Sequence, residues 1–423
     1  MRRVICHHLS FVITVLCAGA LLRAHGAGFG LYEASARGNS MGGSLVGATG
    51  DASANYYNPA NMTALEGTHL MAGVTLIHPV LDVTTNGDKN NLDSGWFYPP
   101  HVYASQQLLD RWFIGFGLYS EFGLGTKYDR DWPLKWSSTE TWLDTLTLNP
   151  NVAYKVTDRL SLAAGFRAMY LDFENRKTPY DNTTLAVLPP PYSLPVLGSM
   201  RTRVQGDSWG YGYNLAASYK LTDQLDLGFA YRSRVQQTVK GDIEVESVSA
   251  PIGNLLPEGT ASARGSIELP PSWIAGLNYR PVEKLNLGAA AIFTQWSTYD
   301  SLDMRFGRTR NKQIPNSSDK KNWSNVWRLS LGAEYLLTEK WSAQCGYVYD
   351  MDPIDKENTD TLLPPGDRHI TSFGLGYALE AWKFYGGYGL IIMEPVDRRV
   401  GGQRVDFDDG FCHLISFSVA TNF

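Results

Sequence analysis

The sequence predicts an all-β protein: a 14-stranded antiparallel transmembrane β-barrel with a small N-terminal domain inside its lumen. Three observations predict it. They are a C-terminal segment of alternating character, an export signal with no later apolar helix, and short turns that alternate strictly with long loops. From residue 411 to the end, apolar or aromatic side chains fall at nearly every second position (Phe411, Ile415, Phe417, Val419), and the chain stops on Phe423. Period two marks a half-buried strand, and such a strand ending an exported chain suits a bacterial outer-membrane barrel.

Residues 1–26 read as a signal peptide. Arg2 and Arg3 precede a mostly apolar run from Leu9 to Leu22, and Ala24-His25-Gly26 supplies small residues for cleavage before Ala27. The run is too short to span a bilayer as a helix, and no other segment approaches the roughly 18 apolar residues a spanning helix needs. Cys17 lies inside the run after bulky Leu16, which argues against a lipoprotein signal. With 23 Tyr, 12 Trp, 17 Phe and 41 Gly in 423 residues, the composition alone would pass for a soluble protein, as barrels often do. A net charge of −5 and a pI near 5.9 argue against nucleic acid as a partner. Cys345 and Cys412 fall on strands that are not neighbours and face opposite ways, so neither a disulfide nor a metal site is expected, and no cofactor.

A recurring phrase, Tyr followed by a charged turn and an alternating run, sets the strand count. It appears as Tyr154 to Leu160 and Tyr219 to Leu225, with looser copies at 279–285, 335–341 and 377–383, and a short turn at 108–111. Each reads as a tight hairpin whose tyrosine sits at an interfacial belt. Long polar connections are expected near 83–95, 123–140, 175–203, 245–262, 305–322, 351–367 and 394–409. Six turns and seven loops give fourteen strands over 68–423, with turns periplasmic and loops outside. Within strands the faces separate. Leu225, Leu227, Phe229 and Tyr231 oppose Asp226, Gly228, Ala230, Arg232 and Arg234, and likewise Leu329, Leu331 and Tyr335 oppose Arg328, Ser330 and Glu334. Lipid cannot satisfy an open sheet edge, so the strands must close.

Residues 27–67 break this pattern. Seven glycines between Gly28 and Gly50 are too many for a strand. Asn58 can cap a short helix begun by Pro59, and Gly67 fits beyond its end. Phe29, Leu31, Tyr56, Tyr57 and Met62 seek burial. The segment therefore reads as a domain folded inside the barrel, with a periplasmic tail as the alternative.

Ala27-Gly28-Phe29, Gly50-Asp51-Ala52-Ser53 and Asn58-Pro59-Ala60-Asn61-Met62-Thr63 resemble the hatch of the FadL/TodX outer-membrane transport family. Leu269 to Trp273, Trp296 to Tyr299, Trp327 to Gly332 and Pro364 to His369 extend the resemblance over essentially all of 27–423. It implies a 14-stranded barrel and uptake of hydrophobic compounds, long-chain fatty acids first and aromatic or other neutral hydrocarbons second. It implies capture in an extracellular groove, transfer to an inner pocket reached by the hatch N-terminus, and lateral exit beside a kinked third strand. Asn58, Pro59 and Ala60 are the hatch motif, and Phe29 and Leu31 the candidates for touching the pocket. Gly115, Gly117, Gly123 and Gly125 weaken strand three and are the candidates for the kink, ahead of Pro99-Pro100 in strand two. Apolar loop residues Leu124, Trp132, Leu134, Trp136, Leu188 and Tyr192 are candidates for the groove, with packing of the loops against each other as the alternative.

A carboxylate ligand would favour a buried cation, and Arg167, Arg232, Arg234 and Arg328 face inward by alternation. Lumen acids such as Asp226 and Glu334 are their competing partners. Fatty-acid members of the family carry a lysine where this chain has Ser324, which keeps a neutral ligand open. Expected partners besides the ligand are outer-membrane lipid and lipopolysaccharide, and the barrel-assembly machinery through Phe423, around a monomer. An enzyme is disfavoured because the five histidines after residue 26 accompany no G-x-S-x-G or H-E-x-x-H element. A general diffusion porin is disfavoured by the plug, and the acidic run 350–360 lacks EF-hand spacing.

Overall fold

The computed structural model describes residues 28–93, 95–186, 195–250, 256–408 and 410–423. Fourteen wall strands, each antiparallel to the next, form one closed sheet. They are β1 (Thr68–Thr85), β2 (Pro100–Leu109), β3 (Trp112–Tyr119 and Gly123–Lys127), β4 (Glu140–Lys155), β5 (Leu160–Ala186), β6 (Pro195–Lys220) and β7 (Leu225–Arg232 and Val235–Ala250). The ring continues with β8 (Gly259–Leu269 and Ser272–Val282), β9 (Leu285–Thr294 and Ser301–Phe306), β10 (Ser317–Lys320 and Val326–Leu336), β11 (Trp341–Asp350), β12 (Arg368–Leu379), β13 (Trp382–Met393) and β14 (Gly410–Asn422). β14 pairs with β1 from Val80↔Phe411 to His69↔Asn422, which closes the cylinder.

The side chains facing away from the ring are those a lipid environment selects. On β6, Trp209, Tyr211, Tyr213 and Leu215 are about half exposed or more, each alternating with an inward residue. Aromatic pairs collect at two levels. Trp112–Tyr154 and Trp341–Tyr377 mark the short-turn end, and Tyr231–Trp273 and Phe293–Trp327 the other. These are the two interfacial belts of a membrane barrel.

The six short turns lie where the sequence put them, but several long connections are partly strand. The expected loop 175–203 is largely ladder, because β5 and β6 stay paired as far as Ala186↔Pro195. Their extension carries Glu174–Arg203 and Arg176–Glu140 ion pairs, polar decoration suited to strand standing in water. Asp88–Asp93 folds back on β1, and Val396–Val400 with Gln403–Phe407 makes a hairpin beside it.

One inward assignment is corrected. Arg234 lies outside the lumen, its side chain 67% exposed and paired with Glu268 at 3.2 Å. Strand β7 breaks at Ser233-Arg234, and β8 breaks opposite, at Pro270-Pro271, where two ladder donors are missing. Both strands slip by one residue there. Inward positions are even up to Arg232 and odd from Val235, and period-two reasoning cannot see the slip.

Residues 28–67 pack against the inward face of strands around the ring. Ser35 caps a helix at Ala36–Ser40, and Asn58 caps a 3-10 turn at Pro59–Ala64 by accepting from Ala60 N at 3.1 Å. Ala36 N donates to Ser418 Oγ on β14, Arg37 Nη2 pairs with Glu334 on β10 at 2.6 Å, and Ser372 on β12 donates to Ser40 O. Asn58 Nδ2 donates to Val46 O and to Ala217 O of β6, while Asn55 reaches Ala104 O of β2.

Inward glycines make this packing possible. A methyl at Gly228 would lie 2.0 Å from Val46 O, and one at Gly332 2.4 Å from Met41 O. The segment's backbone therefore rests directly on the wall. Gly228→Val is expected to destabilise the folded protein by about 2 kcal/mol or more. Gly386→Ala, with open space around its Cβ position, should be near neutral. Denaturant unfolding in detergent, followed by the heat-dependent gel shift of a folded barrel, compares the two.

Candidate functional site

Strand β3 is interrupted at Ser120-Glu121-Phe122. Tyr119 pairs with Thr147 and Gly123 with Asp144, so three residues on β3 face two on β4, a bulge. The last β2–β3 pair is His101↔Tyr119, and β2 starts at Pro100. Beyond it, Gly123–Lys127 pairs only with β4. The wall is unpaired between the β2 side and β3 over this stretch, since Pro99 and Pro100 bring no N–H to continue the ladder.

Two things meet the gap. On the β1 side, Phe97 exchanges both backbone hydrogen bonds with Ile77, at 2.9 and 3.0 Å. Its ring lies over Gly125, where any Cβ would stand 2.0 Å from the ring carbon. From inside, Phe29 to Leu31 run along the break. Leu31 N donates to Glu121 O at 2.8 Å, and Gly123 N to Phe29 O at 3.0 Å. The N-terminal segment thus satisfies backbone groups that the missing ladder leaves open.

A cavity of about 620 Å³ occupies this place. Phe29, Leu31, Tyr32, Arg328 and Leu414 line it from the lumen, while the outward-facing Trp142, Asp144, Leu146, Tyr170 and Asp172 line it from beyond the wall. The space therefore runs through the break. A second cavity of about 40 Å³ lies toward the long-loop end, among Leu143, Leu171, Val239, Ile267 and Trp323, and it shares Phe29, Leu124 and Leu363 with the first. Phe29 stands between the two. Its ring sits edge-on to Trp296 (4.8 Å), Trp323 (5.7 Å), Tyr299 (5.8 Å) and Phe122 (5.9 Å).

The candidate residues separate on this map. Gly123 and Gly125 border the gap, whereas Gly115 and Gly117 sit in regular ladder, Gly115 against Asn55 and Met62. Leu124 lines both cavities. Trp132 and Leu134 do not open to the outside. They are fully buried with Tyr128, Val400, Val405 and Phe407, in a core formed between the 127–140 loop and the 396–407 hairpin. Trp132 stacks on Tyr128 at 3.9 Å and donates to Ser138 O. Burial of apolar loop residues explains their presence without a surface groove. Trp136 is 38% exposed and touches the hairpin tip at Gly401. Leu188 and Tyr192 lie outside the described residues.

Each of the three inward candidates already has an acid. Arg167 pairs with Glu121, Arg328 with Asp350, and Arg232 reaches Glu121 at 3.5 Å. The acids expected to compete are engaged elsewhere, Asp226 with Arg280 and Glu334 with Arg37. The sequence reading missed Trp296, Tyr299, Trp323, Phe97, Glu121 and the buried Lys321–Asp360 pair beside the smaller cavity. It also missed Arg368, which lines the larger cavity and makes no ion pair among the described residues. The run Trp296 to Tyr299, breaking the alternation of β9, was a usable signal.

The outer rim carries a titrating clamp. Asp352 accepts from Ile354 N at 3.1 Å and Gly366 N at 3.0 Å, joining both ends of the 351–367 loop. Burial pushes Asp352 up to about 6, against those bonds and the charges of Arg368 and Arg398. Burial pushes Asp367 up to about 7, opposed by its bond from Tyr349 and reinforced by Glu394. Both values exceed the ordinary 3.8. The closed loop therefore takes up protons an open loop would not, and its stability grows as pH falls through 7 and 6 and is lost as pH rises. Amide exchange in 351–367, corrected for intrinsic rate, should slow from pH 8 to pH 5 by up to about tenfold per pH unit for each proton bound.

The model of the outer membrane protein transport protein family (OMPP1/FadL/TodX) matches residues 18–383. A long-chain fatty acid transport protein of Escherichia coli O6:H1 is 27% identical over 421 residues, covering 92% of this chain and 90% of that one. One from Salmonella typhi is 26% identical, covering 84% and 85%. Among solved structures, a Pseudomonas aeruginosa FadL homologue superposes with a TM-score of 0.83 at 21% identity, covering 94% of this chain and 100% of that one. The Pseudomonas putida toluene transporter TodX gives 0.73 at 18%, covering 93% and 99%. At those identities the structures establish the fold alone. With the family model spanning most of its length, the chain belongs to the OMPP1/FadL/TodX family of outer-membrane transport proteins, which are channels and not enzymes.

Proposed function

We propose that this protein takes up hydrophobic small molecules by passing them from a lumen pocket sideways through the break in β3, with residues 27–67 acting as the hatch. The observation that carries the reading is the cavity lined from both faces of the wall and bordered by Phe29 and Leu31. A hydrophobic solute gains by moving from one apolar surface to another without crossing water, and a side exit gives it that path. Steady ion flow is not needed for such a route.

Long-chain fatty acids are the first ligand class in this reading, as for the fatty-acid relatives. Arg368 supports it, a cation on the larger cavity that makes no ion pair among the described residues and is able to meet a carboxylate. A neutral aromatic ligand is the second reading. The aromatic ring around Phe29 is sized for one ring, and Lys321 beside the smaller cavity is neutralised by Asp360. Asp144 and Asp172 at the outer mouth also disfavour an anion leaving there.

Arg368→Met decides between them. Uptake of a labelled long-chain fatty acid by cells carrying the variant should fall roughly tenfold, the range of a charge-assisted contact, with toluene uptake unchanged. Equal uptake of the fatty acid by both proteins would reject the carboxylate contact. Exposed Phe423 at the end of β14 supports recognition by the barrel-assembly machinery, and the outward aromatic belts support contact with lipid and lipopolysaccharide around a monomer.

A further inference from the structure

Glu121, in the middle of the β3 break, is 5% exposed and turned into the lumen. Arg167 of β5 donates to it through Nε at 3.1 Å and through Nη2, Thr147 of β4 donates at 3.3 Å, and Arg232 of β7 lies 3.5 Å away. The arginines reach further. Arg167 Nη1 donates to Ser233 O, at the break in β7, at 2.9 Å. Arg232 Nη2 donates to Tyr56 O at 2.7 Å, and its guanidinium lies 4.1 Å over the Tyr56 ring. Tyr56 Oη donates to Leu31 O at 3.1 Å, and Leu31 N returns to Glu121 O at 2.8 Å. The circuit closes on the residue where it began.

Burying one carboxylate among two guanidinium groups is expensive, and apolar residues could fill the same space as stably. Its place at the break in β3 calls for a positional role. Resting on the lateral route proposed above, we infer that Glu121, with Arg167 and Arg232, is a positioning latch. It sets the break in β3 and locks Phe29 to Leu31 across it through Tyr56. The charge pulls the bulge inward, aims Phe122 into the aromatic box around Phe29, and ties hatch movement to the state of the wall.

Glu121→Gln keeps the shape and removes the charge. In purified full-length protein, amide exchange at residues 28–33 is expected to rise roughly tenfold, with uptake in cells falling by a similar factor and Glu121→Asp restoring most of both. The heat-dependent gel shift reports folding separately. Should Glu121→Gln fail to assemble, the charge-balanced Glu121→Gln/Arg167→Met double variant carries the same test. Wild-type exchange at 28–33 in a folded variant overturns the latch, as does failure of both charge-altered variants to assemble, which would assign the triad to barrel stability. Closing the gap chemically, as argued below, tests the lateral route independently. If that leaves uptake intact the route fails, whatever the exchange data say.

Discussion

A thiol bridge between Phe97→Cys and Gly125→Cys should stop transport. In a background where Cys345 and Cys412 are replaced by serine, cells treated with a short bis-methanethiosulfonate, which links the two thiols through reducible disulfides, are expected to take up hydrophobic ligand on the order of a hundredfold more slowly, because a closed gate then sets the rate. Reduction should restore it. The geometry suits a spanning reagent. A side chain at Gly125 points at the far tip of the Phe97 ring, so cysteines at the two positions face each other across roughly the length of that ring, more than the ~4.5 Å between Cβ atoms that a direct disulfide spans. The tether joins the side held by β1, through Ile77, to the side held by β4. Binding in detergent at the aromatic box around Phe29 should survive, since Phe97 and Gly125 line the larger cavity and not the smaller one. Unimpaired uptake in fully cross-linked cells would remove the lateral route and leave a path along the barrel axis.

How much of this could be read beforehand follows from which physical constraint wrote each part. Lipid writes on every second residue, so the wall was legible in the faces of Leu225 to Arg232 and in the tyrosine-led turns. The backbone of the N-terminal segment wrote on the wall as glycines, seen as a small inner face but not as the footprint of residues 41–46 at Gly228 and Gly332. The β3 break lay among Gly115 to Gly125, yet the gap also needs Pro99-Pro100 on the far side, and the two meet only through pairing.

What stayed hidden was written by tertiary contact. Glu121 finds Arg167 and Arg232 on strands that are not its neighbours, and Lys321 finds Asp360 from another loop. For Trp132 and Leu134 the sequence left a collecting groove and loop-against-loop packing equally open. The hairpin that buries them is some 260 residues later in the chain and gives no local sign of its destination. Arg234 was misplaced by a one-residue slip, the error to which period-two reasoning is most exposed.

Phe29→Ala should tighten binding while loosening the hatch, an opposition that a purely structural phenylalanine would not produce. Phe29 holds a ring's worth of space among Trp296, Tyr299, Trp323 and Phe122, each edge-to-face contact worth about 0.5–1.5 kcal/mol. A ligand entering the smaller pocket must displace it, because the 40 Å³ left beside it cannot hold a ring. Truncation removes that competition and merges the pocket with the 620 Å³ cavity, since Phe29 lines both. Affinity for a neutral aromatic, measured by fluorescence quenching of the box tryptophans in detergent, is expected to rise about tenfold to a hundredfold as the binding-competent state becomes dominant. The same change should weaken the packing of residues 28–33 by about 3 kcal/mol or more, visible as faster amide exchange. Transport should not follow affinity upward, because a ligand held more tightly by an emptied box leaves it more slowly. If affinity stays constant or falls in a folded variant, Phe29 is a fixed part of the pocket wall and the ligand passes it by.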